Sequence, residues 1–375
     1  MRAYRPLGVR GWPALVLVGP DGFYEGVAPG EGNYDALDES IGKLARKHDK
    51  TLNREELKFK LEEEKPTGPL LFPGKVAATE KLLFIADTGH HRIVVTDHDG
   101  AVQDVIGSGK RGRADGAYAA CSFNQPMGMA ASGDALWVAD TENHLIRRVD
   151  LKAKKVETVA GTGERKSSRG GPALKTTLNS PWDVLVDGRR VFVAMAGNHT
   201  IWVLADGRVE PYAGDFYERL QDGPLRKSSF NQPSGLAAIG RDLYVADSEI
   251  SGVRRVPMDG KGEVTTVVGT GLFSFGDRDG VGAEALLQHV LHVAAGGGKL
   301  YVADAYNHKV KVIDPATREC TTFAGDGKPG VFFEPGGLAV AGGRLFVADT
   351  NNHAIRVVDL ATREVKSVTI RGMRP

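Results

Sequence analysis

The chain predicts an all-β fold, a six-bladed β-propeller, with a short α/β segment ahead of it. Three observations carry that expectation. One phrase, apolar-apolar-Ala-Asp-Thr-x-Asn-His-x-Ile, recurs six times: IADTGHHRI (85–93), VADTENHLI (138–146), VAMAGNHTI (193–201), VADSEISGV (245–253), VADAYNHKV (302–310) and VADTNNHAI (347–355). Its Asp position falls on Asp87, Asp140, Met195, Asp247, Asp304 and Asp349, at spacings of 45 to 57 residues. Glycine is abundant, 48 residues of 375, as the many tight turns of such a fold require.

Each copy sits in the same frame. A Pro-led apolar run such as Pro126–Ala131 comes first. A Gly turn, a strand ending in Ala-Asp, the Asn-His turn, a second apolar strand and a β-rich stretch closing on Ala-Gly-x-Gly (Val159–Gly163, Phe323–Gly327) follow it. That is four short strands rich in Val, Ile, Leu and Tyr, with Gly, Asp and Asn between them. Four antiparallel strands at this period make one propeller blade. One blade cannot bury both faces of its sheet, so the blades must close into a ring, each covered by two neighbours. The expected blades are 69–109, 123–163, 178–216, 230–271, 287–327 and 332–372. Each chain end supplies a whole blade, so no swapped strand is evident, and closure is expected by packing of blade faces or by a strand that this blade assignment misses.

Residues 1–50 stand outside the repeat. Trp12 to Val18 reads as a strand preceded by Pro13, Gly19–Gly22 as a turn and Phe23–Val27 as a returning strand. Ala36, Leu37, Ile41 and Leu44 then form a helical stripe. Residues 51–68 read as a charged helical linker, started by Asn53 and Glu56 and stopped at Pro66. The propeller takes 69–375.

Composition narrows the functional classes. Lys plus Arg number 48 against 47 Asp plus Glu, so no overall charge draws the chain to nucleic acid or to a membrane surface. No run of 18 apolar residues exists to span a membrane. The apolar run Ala14–Val18 is too short for a signal sequence. The two cysteines, Cys121 and Cys320, form no C-x-x-C pair, and two reduced thiols fit a cytoplasmic chain.

The six phrases resemble the NHL repeat, and Asn143-His144-Leu145 is its signature literally. The hairpin and helix of residues 1–50 resemble the C-terminal half of a thioredoxin fold, with Pro13 at the place where that family carries a cis-proline. The half that bears the redox cysteines has no counterpart. A thioredoxin-like part followed by an NHL propeller resembles the NHL repeat-containing protein 2 family. FPGKV (72–76), ADTENHLIR (139–147), SPWDV (180–184), AMAG (194–197), FGDRDGVG (275–282) and EPGGL (334–338) match its wording.

The channel is where functional groups are expected to gather. Aligning the inner strands two residues past their opening Pro gives Lys75, Gly128, Asp183, Gly235, His292 and Gly337. A Lys, an Asp and a His alternate with glycines that leave them room. The preceding position gives Gly74, Met127, Trp182, Ser234, Leu291 and Gly336, with Trp182 as the one large aromatic. Two readings stand: a structural Lys75–Asp183 ion pair with a solvated His292, or a ligand pocket at the channel face formed by Lys75, Met127, Trp182, Asp183, Met195, Ser234 and His292. Met195 enters that list because blades three and four break the motif, at Met195 and Ser251, on the side of Trp182.

Asp183 and His292 are one ligand short of a zinc set, so no metal and no cofactor is expected. The repeated histidines (His91, His144, His199, His308, His353) and aspartates are spread around the ring, which fits turn hydrogen bonding. Gly107-x-Gly109-x-x-Gly112 opens no helix, and Asp277-x-Asp279-Gly280 reads as an inter-blade turn. The expected function is a non-catalytic, monomeric scaffold binding a protein, peptide or small ligand at the channel face. The alternatives are the recognition module of a thioredoxin-like thiol-disulfide oxidoreductase and a metal-dependent propeller lyase or hydrolase. Whether the chain is itself an enzyme stays open at this point.

Overall fold

A computed structural model describes residues 14–29, 33–53 and 68–373. Pro13, Trp12, most of the predicted linker helix and Pro66 lie outside the described residues. The chain divides into two compact units, 1–64 and 65–375.

In the first unit, β1 (Ala14–Val18) pairs antiparallel with β2 (Tyr24–Pro29), joined by the predicted Gly19–Gly22 turn, where the Gly22 N–H donates to the Gly19 carbonyl (2.9 Å). The helix α1 (Tyr34–Lys47) follows, with Asp35 in its first turn and Arg46 and Lys47 in its last, each sign complementing the helix dipole. Leu17, Val27, Ala36, Leu37 and Leu44 line an open cleft between sheet and helix. No residue of α1 is buried.

The second unit is the six-bladed propeller. Blade two shows the pattern: inner strand Pro126–Ser132, then Ala135–Asp140, Leu145–Asp150 and outer strand Lys155–Ala160, consecutive strands paired antiparallel. Blades two to five each gain a two-residue fifth strand on the outer edge, supplied by the segment that precedes the blade, such as Gly116–Ala117 on blade two. Among the described residues, blades one and six have four strands.

The hydrophobic core is cut into six clusters among the described residues, each lying between neighbouring blades. Phe84 and Ile93 of blade one meet Leu136 and Val138 of blade two, for instance. The sixth cluster joins Val76, Leu83, Ile85 and Val94 of blade one to Phe346, Ala348 and Ile355 of blade six, so face packing closes the ring. The chain end adds a backbone clasp that the sequence did not disclose. The Arg371 N–H donates to the Gly100 carbonyl (2.8 Å) and the Val102 N–H to the Arg371 carbonyl (2.9 Å), placing the tail on the outer strand of blade one. Gly100 is required there: its φ is +87°, and a Cβ would stand 2.3 Å from the Thr369 carbonyl oxygen.

Candidate functional site

The inner strands of blades two to six all carry a register shift directly after their opening residue: Pro126/Met129, Pro181/Asp183, Pro233/Gly235, Val290/His292 and Pro335/Gly337. Such a bulge re-aims the side chain that follows it. Here it turns Asp183 and His292 onto the propeller axis, where they meet Lys75 from blade one.

The three form a buried polar hub. Asp183 Oδ2 lies 3.2 Å from Lys75 Nζ and 3.0 Å from His292 Nε2, and accepts the Leu236 N–H at 2.8 Å. The Lys75 ammonium also donates to the Ser234 carbonyl. His292 Nδ1 accepts the Leu338 N–H at 3.1 Å, so the ring proton sits on Nε2 and is donated to Asp183. Burial is close to complete, with Lys75 1%, Asp183 2% and His292 7% exposed. The alternating glycines make the hub possible. A Cβ on Gly128 would stand 2.1 Å from Asp183 Oδ1, on Gly235 2.6 Å from His292 Cα, and on Gly337 2.5 Å from Lys75 Cα. All six blades therefore meet at one plane.

The electrostatics follow from this geometry. Burial lowers the pKa of Lys75, against the pull of Asp183. Burial opposes ionisation of Asp183, but Lys75, His292 and the Leu236 N–H outweigh it and hold the carboxyl below its usual value. Burial, then the Lys75 charge, lowers the pKa of His292. The hub is an ion pair extended by a neutral imidazole. His292 is thus not the solvated side chain of the ion-pair reading, because both of its ring nitrogens are hydrogen-bonded inside the protein.

Behind the hub, the small side chains Ala77, Ala131, Ala238, Ala295 and Ala339 help to line a funnel of about 290 Å³ with Asp183 and His292 at its floor. Met127, Trp182 and Leu291, each one residue ahead of the hub position on its inner strand, are partly exposed. Ser234 is buried, linked to Ser248 Oγ at 2.7 Å and to the Val290 carbonyl at 3.1 Å. Met195 is placed elsewhere than expected. It is fully buried in the core between blades two and three, and its sulfur accepts the Asn179 N–H at 3.4 Å.

Met195 stands where the other blades keep an aspartate. In each of those, one carboxylate oxygen accepts the N–H sixteen residues upstream: Leu71 to Asp87, Asn124 to Asp140, Asn231 to Asp247, Gln288 to Asp304 and Phe333 to Asp349, at 2.6–2.8 Å. Burial raises Asp140 and Asp247 to about 6 and Asp304 to about 7. Sequence reasoning missed the cations that answer them. Arg147 and Arg254, fully buried, join Asp140 and Asp247 to the linker residues Asp115 and Asp222. Lys311 bonds Asp277 and Asp279, both at 2.8 Å, so this Asp-x-Asp-Gly run is a lysine anchor. The signal was present as a cation seven residues after the motif Asp and an Asp-Gly ahead of the blade.

The repeated histidines are latches between blades. Each adopts the left-handed conformation, and its Nδ1 accepts the N–H of the residue before the next inner strand: His91 from Gln125, His144 from Ser180, His199 from Gln232, His308 from Glu334 and His353 from Phe72, at 3.0–3.3 Å. In blade four Ser251 Oγ takes the place of His and accepts the His289 N–H at 3.0 Å. The front face, where these turns and the channel mouth lie, is therefore stitched around the whole ring.

Fold and latches together define an NHL-repeat β-propeller, and the NHL repeat signature matches residues 123–148 and 332–358. The chain is similar to members of the NHL repeat-containing protein 2 family. It is 41% identical to that protein from Homo sapiens over 388 residues, covering 90% of this chain and 53% of the relative. It is 40% identical over 376 residues to Protein SUPPRESSOR OF QUENCHING 1, chloroplastic, from Arabidopsis thaliana, covering 91% of this chain and 36% of the relative. The chain thus spans about half the length of the family members it matches, and about a third of the plant protein. Among solved structures, the nidogen/laminin complex superposes with a TM-score of 0.54 at 16% identity, covering 77% of this chain and 93% of that one. A catalytically inactive virginiamycin B lyase from Staphylococcus aureus, with quinupristin, gives 0.51 at 14%, covering 83% and 89%. At that identity these two bear on the fold alone.

The remaining chemistry-bearing residues are quiet. Burial raises the thiols of Cys121 and Cys320 to about 11 and about 12, so neither is a nucleophile at neutral pH. Among the described residues, no three His, Cys, Asp or Glu side chains gather as a metal site would need. No helix among them is long and apolar enough to cross a membrane.

Proposed function

We propose that this NHL propeller is a rigid, non-catalytic platform whose front face binds a protein partner. The observation that carries the reading is the division of the channel by the Lys75–Asp183–His292 hub. The hub's contacts tie together blades one, three, four, five and six within the protein, which supports reading it as a structural tie rather than as catalytic machinery. Contact is then expected on the face where the inner strands begin, with the partly exposed Met127, Trp182 and Leu291, each one residue ahead of the hub position, as its proposed apolar anchors. Large aromatic anchors of this kind dominate protein interfaces. Two buried, unreactive thiols fit a reducing cytoplasmic setting.

Affinity capture from the source cells, comparing the native protein with a Trp182→Ala, Met127→Ala double variant, tests the reading. Loss of the same partners at unchanged thermal stability supports it. Full retention of every partner overturns it.

A second reading has one observation in its favour. The hairpin and helix of the first unit leave Leu15, Val18, Phe23, Tyr34 and Ile41 largely exposed. An apolar face of that kind suits a thioredoxin-like domain completed by further chain, with the propeller as the recognition arm of a thiol-disulfide oxidoreductase. The intact mass of the protein in its source cells decides this: a mass near 40 kDa removes the reading.

A further inference from the structure

The front face is not uniform. Loops that cross from blade three to four and from four to five carry three exposed aromatic side chains, Tyr217 at 66%, Phe273 at 68% and Phe275 at 37%. These loops approach each other: a Cβ on Gly271 would lie 3.9 Å from the Leu220 side chain. Phe273 is held in the left-handed region, at φ +67°, which is an unusual place for a bulky residue. Beside the loops, in the blade-five turn, Tyr306 is 48% exposed and stacks on His289 with centroids 4.4 Å apart and planes at 14°. All four aromatics sit on segments that follow strands ending at the front face.

The sector carries both signs at its Tyr217 end, where Arg219 pairs with Asp215 and stands 5.3 Å from the Tyr217 ring centroid, and carboxylates at its Tyr306 end. Glu249 lies 3.7 Å from His289 Nδ1, and its carboxyl is pushed up by burial, then by Glu218 and Asp247. Glu249 and Glu334 both bear on the Tyr306 hydroxyl, and Glu218 bears on His199. Burial lowers the pKa of His289 and so disfavours the imidazolium that would answer this negative charge. Across the ring the charges are mixed, with Arg111 and Asp87 acting on His91 and Glu142 and Arg165 on His144.

Resting on the platform reading above, we infer that the blade-four and blade-five sector of the front face is a docking surface for a partner segment carrying an arginine or lysine beside apolar side chains. The cation answers Glu218, Glu249 and Glu334 and stacks on Tyr306, while the apolar groups cover Tyr217, Phe273 and Phe275. Exposed aromatics and uncompensated carboxylates each cost little in water, and both are satisfied by that one occupant.

The test selects peptides from a displayed library of random short sequences on the full chain. The expected winners pair Arg or Lys with aliphatic or aromatic residues. Their affinity should fall at least roughly tenfold with Phe273→Ala and again with Glu249→Gln. Phe273 is exposed, so that variant leaves the fold intact, and a thermal melt checks Glu249→Gln. Winners that are acidic, or that bind both variants unchanged, overturn the inference. If such winners instead fail on Trp182→Ala, the platform reading survives and this sector is wrong. A library that yields no winner on the native chain contradicts both.

Discussion

Met195 and Trp202 occupy, in blade three, the two positions where blade two carries the buried pair Asp140 and Arg147. Both are fully buried in one apolar cluster, and the Trp202 indole N–H is satisfied by Thr200 Oγ1 at 2.8 Å. The third partner is gone as well, since Gly170 stands where Asp115 anchors Arg147. Blade three has exchanged a desolvated charge network for packing, an exchange that is often neutral or favourable when all members leave together. Met195→Asp alone should therefore cost about 3–5 kcal/mol, the penalty of an unpaired buried charge. Adding Trp202→Arg should recover a substantial part of it, and a double-mutant cycle by denaturant unfolding measures the coupling.

The hub should behave as one unit. Asp183→Asn removes the counter-charge of a fully buried ammonium and is expected to destabilise by about 3–5 kcal/mol. Lys75→Met combined with Asp183→Asn should cost less than the sum of the two single changes, because the second removes a charge the first has already stranded. Chemical denaturation of the four proteins checks both statements.

The tail clasp should add to ring closure. Gly100→Ala forces a side chain against the Thr369 carbonyl at positive φ and is expected to cost about 1–3 kcal/mol. Hydrogen exchange should accelerate first at Val102 and Arg371, before the inner strands respond.

The latch histidines carry a pH signature. Burial lowers His91, His144 and His199, so each native imidazole binds a proton less readily than in the unfolded chain. Their contribution to stability is complete above about pH 6.5 and is lost as pH falls below it. Asp140, Asp247 and Asp304 act in the opposite sense, since their raised values make the native state bind protons more readily as pH falls. A melting curve sums the two, so NMR titration of the imidazoles is the cleaner measurement. His91, His144 and His199 should titrate below 6.5, with the ring proton on Nε2 in the neutral form.

The ring was legible in the sequence because the repeat states it. Six copies of one phrase place Asp140 and His144 at fixed offsets, and the strands between them alternate as a sheet demands. The Lys75, Asp183 and His292 alignment could be read for the same reason, since bulges after the inner-strand openings act alike in successive blades. Distance and exposure could not be read. Nothing local to His292 signals the Leu338 N–H that takes its second nitrogen, 46 residues away. Met195 looked like a specialised surface position because the lost aspartate was seen without its lost arginine, and only the register puts Trp202 beside it. The clasp at Arg371 escaped because two backbone hydrogen bonds leave no mark on side-chain pattern.

The claim that the front face is the working surface is tested most directly by hydroxyl-radical footprinting of the protein in source-cell extract and after purification. Trp182 and Met127 should be oxidised more slowly in extract, while Trp137, in the middle of a blade-two strand, is unchanged. Equal oxidation of Trp182 and Met127 in both samples would contradict it.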